Sequence, residues 1–287
     1  MAPEFEHFVA IDWSGAIGPR QRGIAVAICS RGTAAPVLVR PGHIWSRIEV
    51  HAWLTGEMPA RTLAGLDLGA SLPFVDRGAY FPGWAQSPPH ARALWALVER
   101  LCADDPHLAA TGLVDHPDAA QHFRRHGGRK GLFFEGAGRL RVTELAQRAQ
   151  GLNPYSNLNL VGAAQVGKSS LTGMRVLHRL GGVLPIWPFD MPGDTSTVIE
   201  IYTTVAALAG GRTKSRAKMR TVEDLAAALR MIGSKPVPGA GTIDDHKSDA
   251  LLTAAWLRAN AHRPELWHPP AMTAHIARTE GWTFGVT

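Results

Sequence analysis

Short apolar runs separated by turn residues dominate the first part of the chain. Residues 8–11 form the first run, which leads into Asp12 and then into a small turn containing Gly15, and further runs follow at 23–29 and 36–39. Runs of this length between turn residues are typical of β-strands. The pattern therefore predicts a three-strand meander whose buried first strand ends at Asp12.

A fourth strand is predicted within residues 62–71. There an apolar run reaches Asp67 before a loop that contains glycine and proline. A fifth strand is predicted over 197–202, where a single acid, Glu200, interrupts another apolar run. Two of the predicted strands thus end at a carboxylate, and a third contains one.

The pattern changes to helical spacing between residues 81 and 159. Amphipathic helices are predicted over 91–102 and 142–149, with a further helical piece around 119–125. Because this segment contributes no apolar strands, we interpret it as a helical insertion at about 81–159 within a single domain.

Two helices, predicted over 222–232 and 244–261, complete the pattern. The chain is therefore expected to form one α/β domain of residues 1–287, with a mixed five-stranded sheet flanked by helices. A three-strand antiparallel meander joined to two later parallel strands is the layout of a ribonuclease H-like fold.

Composition and charge limit the class of protein. The 287 residues include 30 Lys and Arg against 24 Asp and Glu, a formal net charge of +6, which suits an anionic partner such as nucleic acid. Cys29 and Cys102 lie in apolar surroundings and predict buried, reduced thiols. Neither a basic, apolar leader nor an apolar run of about 18 residues occurs, so we expect a cytoplasmic protein without a membrane partner.

The closing helix carries the most informative acids. Positions 245, 249, 252 and 256 share one helical face, and Leu252 and Trp256 mark that face as buried. Asp244 and Asp245 suit a helix N-terminus, where acids complement the helix dipole. Asp249 lies beyond the first turn on the apolar side, so capping does not account for it.

Together these positions predict a cluster of Asp12, Asp67, Glu200 and Asp249 at one sheet edge. Buried carboxylates are costly unless they are paired or bind a metal. Hard oxygen ligands favour Mg²⁺ or Mn²⁺ over zinc. Two such ions about 4 Å apart activate a water and stabilise the leaving oxygen of a phosphodiester. The cluster therefore predicts a metal-dependent nuclease.

Four segments also carry a resemblance to a known family. IDWSGA, GLDLGASLPF, VIEIY and DDHKSDALLTAAWL resemble segments of the domain-of-unknown-function 429 family, whose members are predicted nucleases of ribonuclease H-like fold. The resemblance implies metal-binding and catalytic roles for Asp12, Asp67, Glu200 and Asp249, with Asp245 as an additional metal ligand. Asp76 is an alternative to Asp67.

A second motif indicates different chemistry. Residues 162–169 match the phosphate-loop pattern G-x-x-x-x-G-K-[ST], which is typical of nucleotide-binding proteins and NTPases. The expected magnesium-binding strand would fall at 183–190, but Pro185 and Pro188 do not belong in a central strand. We therefore favour a loop and helix N-terminus that contact substrate phosphate, with Lys168 as a point charge.

Other features of the sequence admit more than one interpretation. The basic segment 212–220 offers Lys214 and Arg216 as phosphate-binding side chains or as part of a solvated loop. His246 either assists proton transfer or lies at the surface. A sugar-kinase-like phosphotransferase would share the same core fold, and a binding module without catalysis is also compatible with the sequence. Acids scattered over the surface would favour the binding module.

Overall fold

Five strands form one mixed sheet in a computed structural model that describes residues 2–162, 166–213 and 218–287. The strands are β1 (His7–Asp12), β2 (Ala25–Ser30), β3 (Val37–Leu38), β4 (Thr62–Leu66) and β5 (Thr197–Glu200). Their order is β3-β2-β1-β4-β5, with antiparallel pairing from β1 to β3 and parallel pairing of β4 with β1 and of β5 with β4. The prediction of a mixed five-stranded α/β sheet is confirmed.

Helices flank this sheet. The described residues contain α1 (Arg47–Gly56), α2 (Ala91–Leu101), α3 (Thr111–Val114), α4 (Val142–Ala149), α5 (Val166–Leu180), α6 (Thr203–Ala209), α7 (Val222–Met231), α8 (Asp245–Asn260), α9 (Pro264–Trp267) and α10 (Ala274–Thr279). Short 3₁₀ turns lie at Pro106–Leu108, Ala119–His122 and His126–Gly128. None of the described helices is both long enough and apolar enough to span a bilayer.

Alternation along the strands divides the apolar core into two clusters. Val9 and Ile11 of β1 belong to a cluster that includes residues of α2 and α5, whereas Phe8 and Ala10 belong to one built around α8. Successive side chains of a strand point to opposite faces, so each cluster covers one face of the sheet. α8 packs directly against β1 and β2.

Several elements differ in extent from the predictions. β5 ends at Glu200 rather than at 202, and the piece predicted at 119–125 is a 3₁₀ turn over Ala119–His122. Residues 183–190 contribute an isolated bridge from Ile186 to Val198, consistent with the prolines that surround it. The pattern does not predict α9 and α10, because segments of four and six residues give too little periodicity.

Candidate metal centre

Asp12 and Asp67 lie side by side at the end of two parallel strands. Ile11 of β1 is in register with Leu66 of β4, and the Asp67 amide donates to the Ile11 carbonyl at 2.9 Å. The next residue along each strand is therefore an aspartate on the same face of the sheet. This is the face that α8 covers, since Phe8, Ala10 and Leu63 all pack in the α8 cluster.

α8 brings Asp249 to the same edge. Asp244 caps the helix, its side chain accepting from the His246 amide at 3.0 Å, and the buried Leu252 and Trp256 hold one face against the core. Asp249 continues that buried stripe toward the N-terminus and is 9% exposed. Asp12 and Asp249 thus lie near enough to Asp67 for their charges to act on it.

The three carboxylates influence one another strongly. Burial raises the pKa of Asp67 well above its usual range, and the charges of Asp12 and Asp249 raise it further. Burial, followed by the charge of Asp12, raises the pKa of Asp249 to about 7. Like charges held near each other in a partly dry site favour a shared proton or a bound cation.

Two cationic side chains approach the same carboxylates. Lys218 Nζ lies 2.7 Å from Asp245 Oδ2 and 3.9 Å from Asp249 Oδ2. His246 Nδ1 lies 3.3 Å from Asp12 Oδ2, and this hydrogen bond raises the pKa of His246 to about 8. His246 therefore contacts the centre, and Asp245 is engaged by Lys218.

Glu200 lies on the other face of the sheet. It is in register with Leu66, one residue before Asp67, so its side chain points away from the three aspartates. Arg141 donates to its carboxylate at 2.6 and 2.8 Å, and Ala70 N and Thr283 Oγ1 complete four donors. Although Glu200 and Asp67 line one cavity of about 160 Å³, the prediction that Glu200 completes the cluster is not supported by this geometry.

Asp76, the alternative to Asp67, is engaged elsewhere. Both of its carboxylate oxygens accept from Arg139, at 2.8 and 2.6 Å. Asp67 instead accepts from Thr203 Oγ1 at 3.3 Å and keeps the other aspartates as its close charged neighbours. The geometry therefore favours Asp67.

The donor set suits a hard divalent cation. Asp12, Asp67 and Asp249 supply carboxylate oxygens, the ligand type that Mg²⁺ and Mn²⁺ prefer. Among the described residues, Asp244, Asp245 and His246 form the set of three ligand groups whose atoms all lie within 4.8 Å of one another, so the ligand atoms of Asp12, Asp67 and Asp249 are more widely spaced. That second set lies at the more exposed start of α8 and shares Asp245 with the Lys218 contact.

The phosphate-loop motif is only partly within the described residues, since 163–165 are outside them. Residues 157–162 add no strand to the sheet, and Asn159 contributes an isolated bridge with Arg124. Ser169 Oγ donates to the Val166 carbonyl at 3.0 Å. Lys168 lies beside the loop that follows Asp12, because Gly15 packs onto the Lys168–Ser169 backbone. Lys214 and Arg216 are outside the described residues.

Sequence reasoning missed two cations that organise this region. Lys218 lies in the basic segment 212–220, but nothing in the sequence pairs it with Asp245, which is distant along the chain. Arg141 precedes a predicted helix, and its only local signal is Glu144 three residues on, with which it forms an ion pair.

Comparison with models of protein families, with curated proteins and with solved structures gave no match, so no family is identified for this chain.

Proposed function

We propose that this protein is a divalent-metal-dependent nuclease that hydrolyses phosphodiester bonds of nucleic acid. The observation that carries the proposal is that Asp12 and Asp67 share one face at the ends of β1 and β4, near enough to Asp249 of α8 for its charge to act on Asp67. We further propose a ribonuclease H-like fold. The strand order β3-β2-β1-β4-β5, with an antiparallel meander and two parallel strands, supports it.

Asp12, Asp67 and Asp249 are the proposed ligands for Mg²⁺ or Mn²⁺. When bound, the metal lowers the pKa of a coordinated water and neutralises charge on the phosphate. Hydrolysis adds water across the phosphorus–oxygen bond, leaving a phosphate monoester and a free hydroxyl. We propose that His246, which lies beside Asp12, holds a proton near the reacting group. Glu200 is assigned no ligand role, because four donors already occupy its carboxylate.

Cations near the centre support a nucleic-acid substrate. Lys168 lines a cavity of about 220 Å³ beside the loop after Asp12, together with Ile17, which is 90% exposed. Arg124 adjoins this region, and its Nε has no hydrogen-bond partner within the described part of the chain. Positive groups near a catalytic centre hold the phosphate backbone and set its register.

A titration with Mn²⁺ tests the metal centre directly. Calorimetry should show binding to the native protein and its loss in Asp12→Asn. The matched variant Asp244→Asn removes an acid from the second ligand set and should leave binding intact. If Mn²⁺ binding were lost in Asp244→Asn but not in Asp12→Asn, the metal site would lie at the start of α8 instead.

Nuclease activity is then measured on single-stranded and duplex DNA and RNA. We expect Mn²⁺- or Mg²⁺-dependent cleavage by the native protein and none by Asp12→Asn. Metal binding without cleavage of any of these substrates would contradict the nuclease proposal while leaving the metal centre standing.

A further inference from the structure

We propose that Lys218 is a built-in second cation of the metal centre, so that the carboxylates bind one divalent ion rather than two. This inference rests on the proposed function, because it concerns the same centre. It follows from the position of Lys218 and from the number of carboxylates that remain free for a metal.

The Lys218 ammonium group lies close to two carboxylates of α8. It lies 2.7 Å from Asp245 Oδ2 and 3.9 Å from Asp249 Oδ2, so one ammonium group contacts the two acids that share a face of α8. Its charge also acts on Asp12. An ammonium group is a compact point charge with three donors, which suits it to bridge carboxylates.

The supply of ligands limits the number of ions. A pair of ions needs enough carboxylates to bridge both and to complete each. Glu200 lies on the opposite face of the sheet, where it pairs with Arg141, and Asp245 is engaged by Lys218. Asp12, Asp67 and Asp249 remain, which is a ligand set for one ion.

The Lys218 side chain is also open to solvent. The Lys218 side chain is 57% exposed, whereas the side chain of Asp249 beside it is only 11% exposed. A phosphate anion that approaches the aspartates from solvent therefore meets the Lys218 ammonium group as well as the ion. We assign Lys218 the role of a positive charge that contacts the substrate phosphate.

The number of bound Mn²⁺ ions tests this assignment without using activity. Calorimetry, supported by electron paramagnetic resonance of bound Mn²⁺, should give one ion per chain for the native protein. Lys218→Met keeps an unbranched side chain of similar bulk and removes its charge, which frees Asp245. This variant should bind two ions. The double variant Lys218→Met/Asp245→Asn should return to one.

Two control variants isolate the position of the charge. Lys218→Arg keeps a cation and should bind one ion, and Lys247→Gln removes an exposed neighbouring cation and should also bind one. Circular dichroism establishes that each variant is folded. Two ions in the native protein, or a single ion in folded Lys218→Met, would overturn the inference. Absence of Mn²⁺ binding in the native protein would instead overturn the proposed metal centre.

Cleavage gives a second measurement for the phosphate contact. At saturating Mn²⁺, Lys218→Met should lower turnover about 10²-fold, the effect of removing one group that stabilises developing negative charge. Lys247→Gln should leave turnover unchanged. Equal turnover in Lys218→Met and the native protein would contradict the phosphate contact.

Discussion

Arg141 holds Glu200 through both terminal nitrogens, at 2.6 and 2.8 Å, inside the protein and on the face of the sheet opposite the aspartates. The same guanidinium binds Glu144 and the Glu280 carbonyl. The arginine thus connects β5, the start of α4 and the segment after α10. These hydrogen bonds give Glu200 a structural role. Substitutions of Glu200 and of Asp12 are therefore expected to have different effects on stability and on metal binding.

Glu200→Gln should destabilise the protein without weakening metal binding. The change removes charge-assisted hydrogen bonds from Arg141, which we expect to cost about 1–3 kcal/mol of the free energy of unfolding. Urea unfolding measures the loss, and Mn²⁺ affinity should stay within a factor of about three of the native value. Asp12→Asn is the matched variant, with the opposite pattern: no metal binding and unimpaired stability. A stable Glu200→Gln protein that no longer binds Mn²⁺ would restore Glu200 to the metal centre.

The metal-free protein should lose stability as pH rises through the range in which Asp249 ionises. The folded-state pKa of Asp249 is about 7, above its ordinary value of 3.8, because of burial and the nearby charge of Asp12. The contribution of Asp249 to the free energy of unfolding is therefore complete below about pH 4 and is lost as pH rises through 7. In Asp249→Asn this part of the decline should disappear. Urea unfolding between pH 4 and pH 8, in the presence of a chelator, measures the difference between the two proteins.

Mn²⁺ binding should show the complementary dependence on pH. A metal ligand must be deprotonated, so the ion displaces the proton that Asp249 holds near neutral pH. Affinity should rise between about pH 6 and pH 8, and binding at pH 6 should release protons. Calorimetry in two buffers of different ionisation enthalpy counts the released protons. Binding that neither strengthens nor releases protons over this range would remove Asp249 from the ligand set.

His122 should make the protein sensitive to acid. The ring is buried between Phe81 and Phe133, and burial, followed by the charge of Arg139, lowers the pKa of His122 to about 4. The unfolded chain takes up this proton near pH 6.5, so stability falls as pH decreases from about 6.5 to 4. His122→Phe should reduce that decline, and the exposed His268→Phe should not. Equal declines in all three proteins would show that His122 is protonated in the folded state.

Cations beside the centre should govern the salt dependence of nucleic-acid binding. Lys168→Gln removes one positive charge beside the loop that follows Asp12, and Arg124→Gln removes one from a residue paired with Leu160 in the wall of the same cavity. For duplex DNA, each lost phosphate contact lowers the slope of log affinity against log salt concentration by about 0.9. Fluorescence anisotropy at several salt concentrations gives this slope. The exposed Arg230→Gln on α7 is the control and should keep the native slope; an equal change in all three variants would mean a diffuse charge effect.

The sequence predicts the sheet well because its strands carry strong local signals. Apolar runs ending at a carboxylate locate Asp12 and Asp67, and helical spacing places Asp249 on the buried face of α8. These signals depend only on neighbouring residues. The same reasoning predicts the bounds of α4 as the structure has them.

Signals from neighbouring residues do not predict the face of the sheet on which Glu200 lies. Whether an acid in β5 points toward Asp67 or away from it depends on the register of β5 with β4, and one residue of slip reverses the answer. The partners of Lys218 and Arg141 pose the same difficulty. Their contacts with Asp245 and Glu200 arise only after distant segments pack, and periodicity carries no information about them.

The network around Arg141 depends on residues that are synthesised well after Arg141 itself. Glu280 accepts from the amides of Phe74, Val75 and Val142, the last of them 138 residues earlier in the chain, and Thr283 donates to Glu200. During synthesis, folding proceeds from the N-terminal side. The strands and the helices up to α8 therefore emerge from the ribosome before the groups that satisfy their buried polar atoms. Until Glu280 and Thr283 have been added, the nascent chain lacks these hydrogen-bond partners for the amides of Phe74, Val75 and Val142 and for the Glu200 carboxylate.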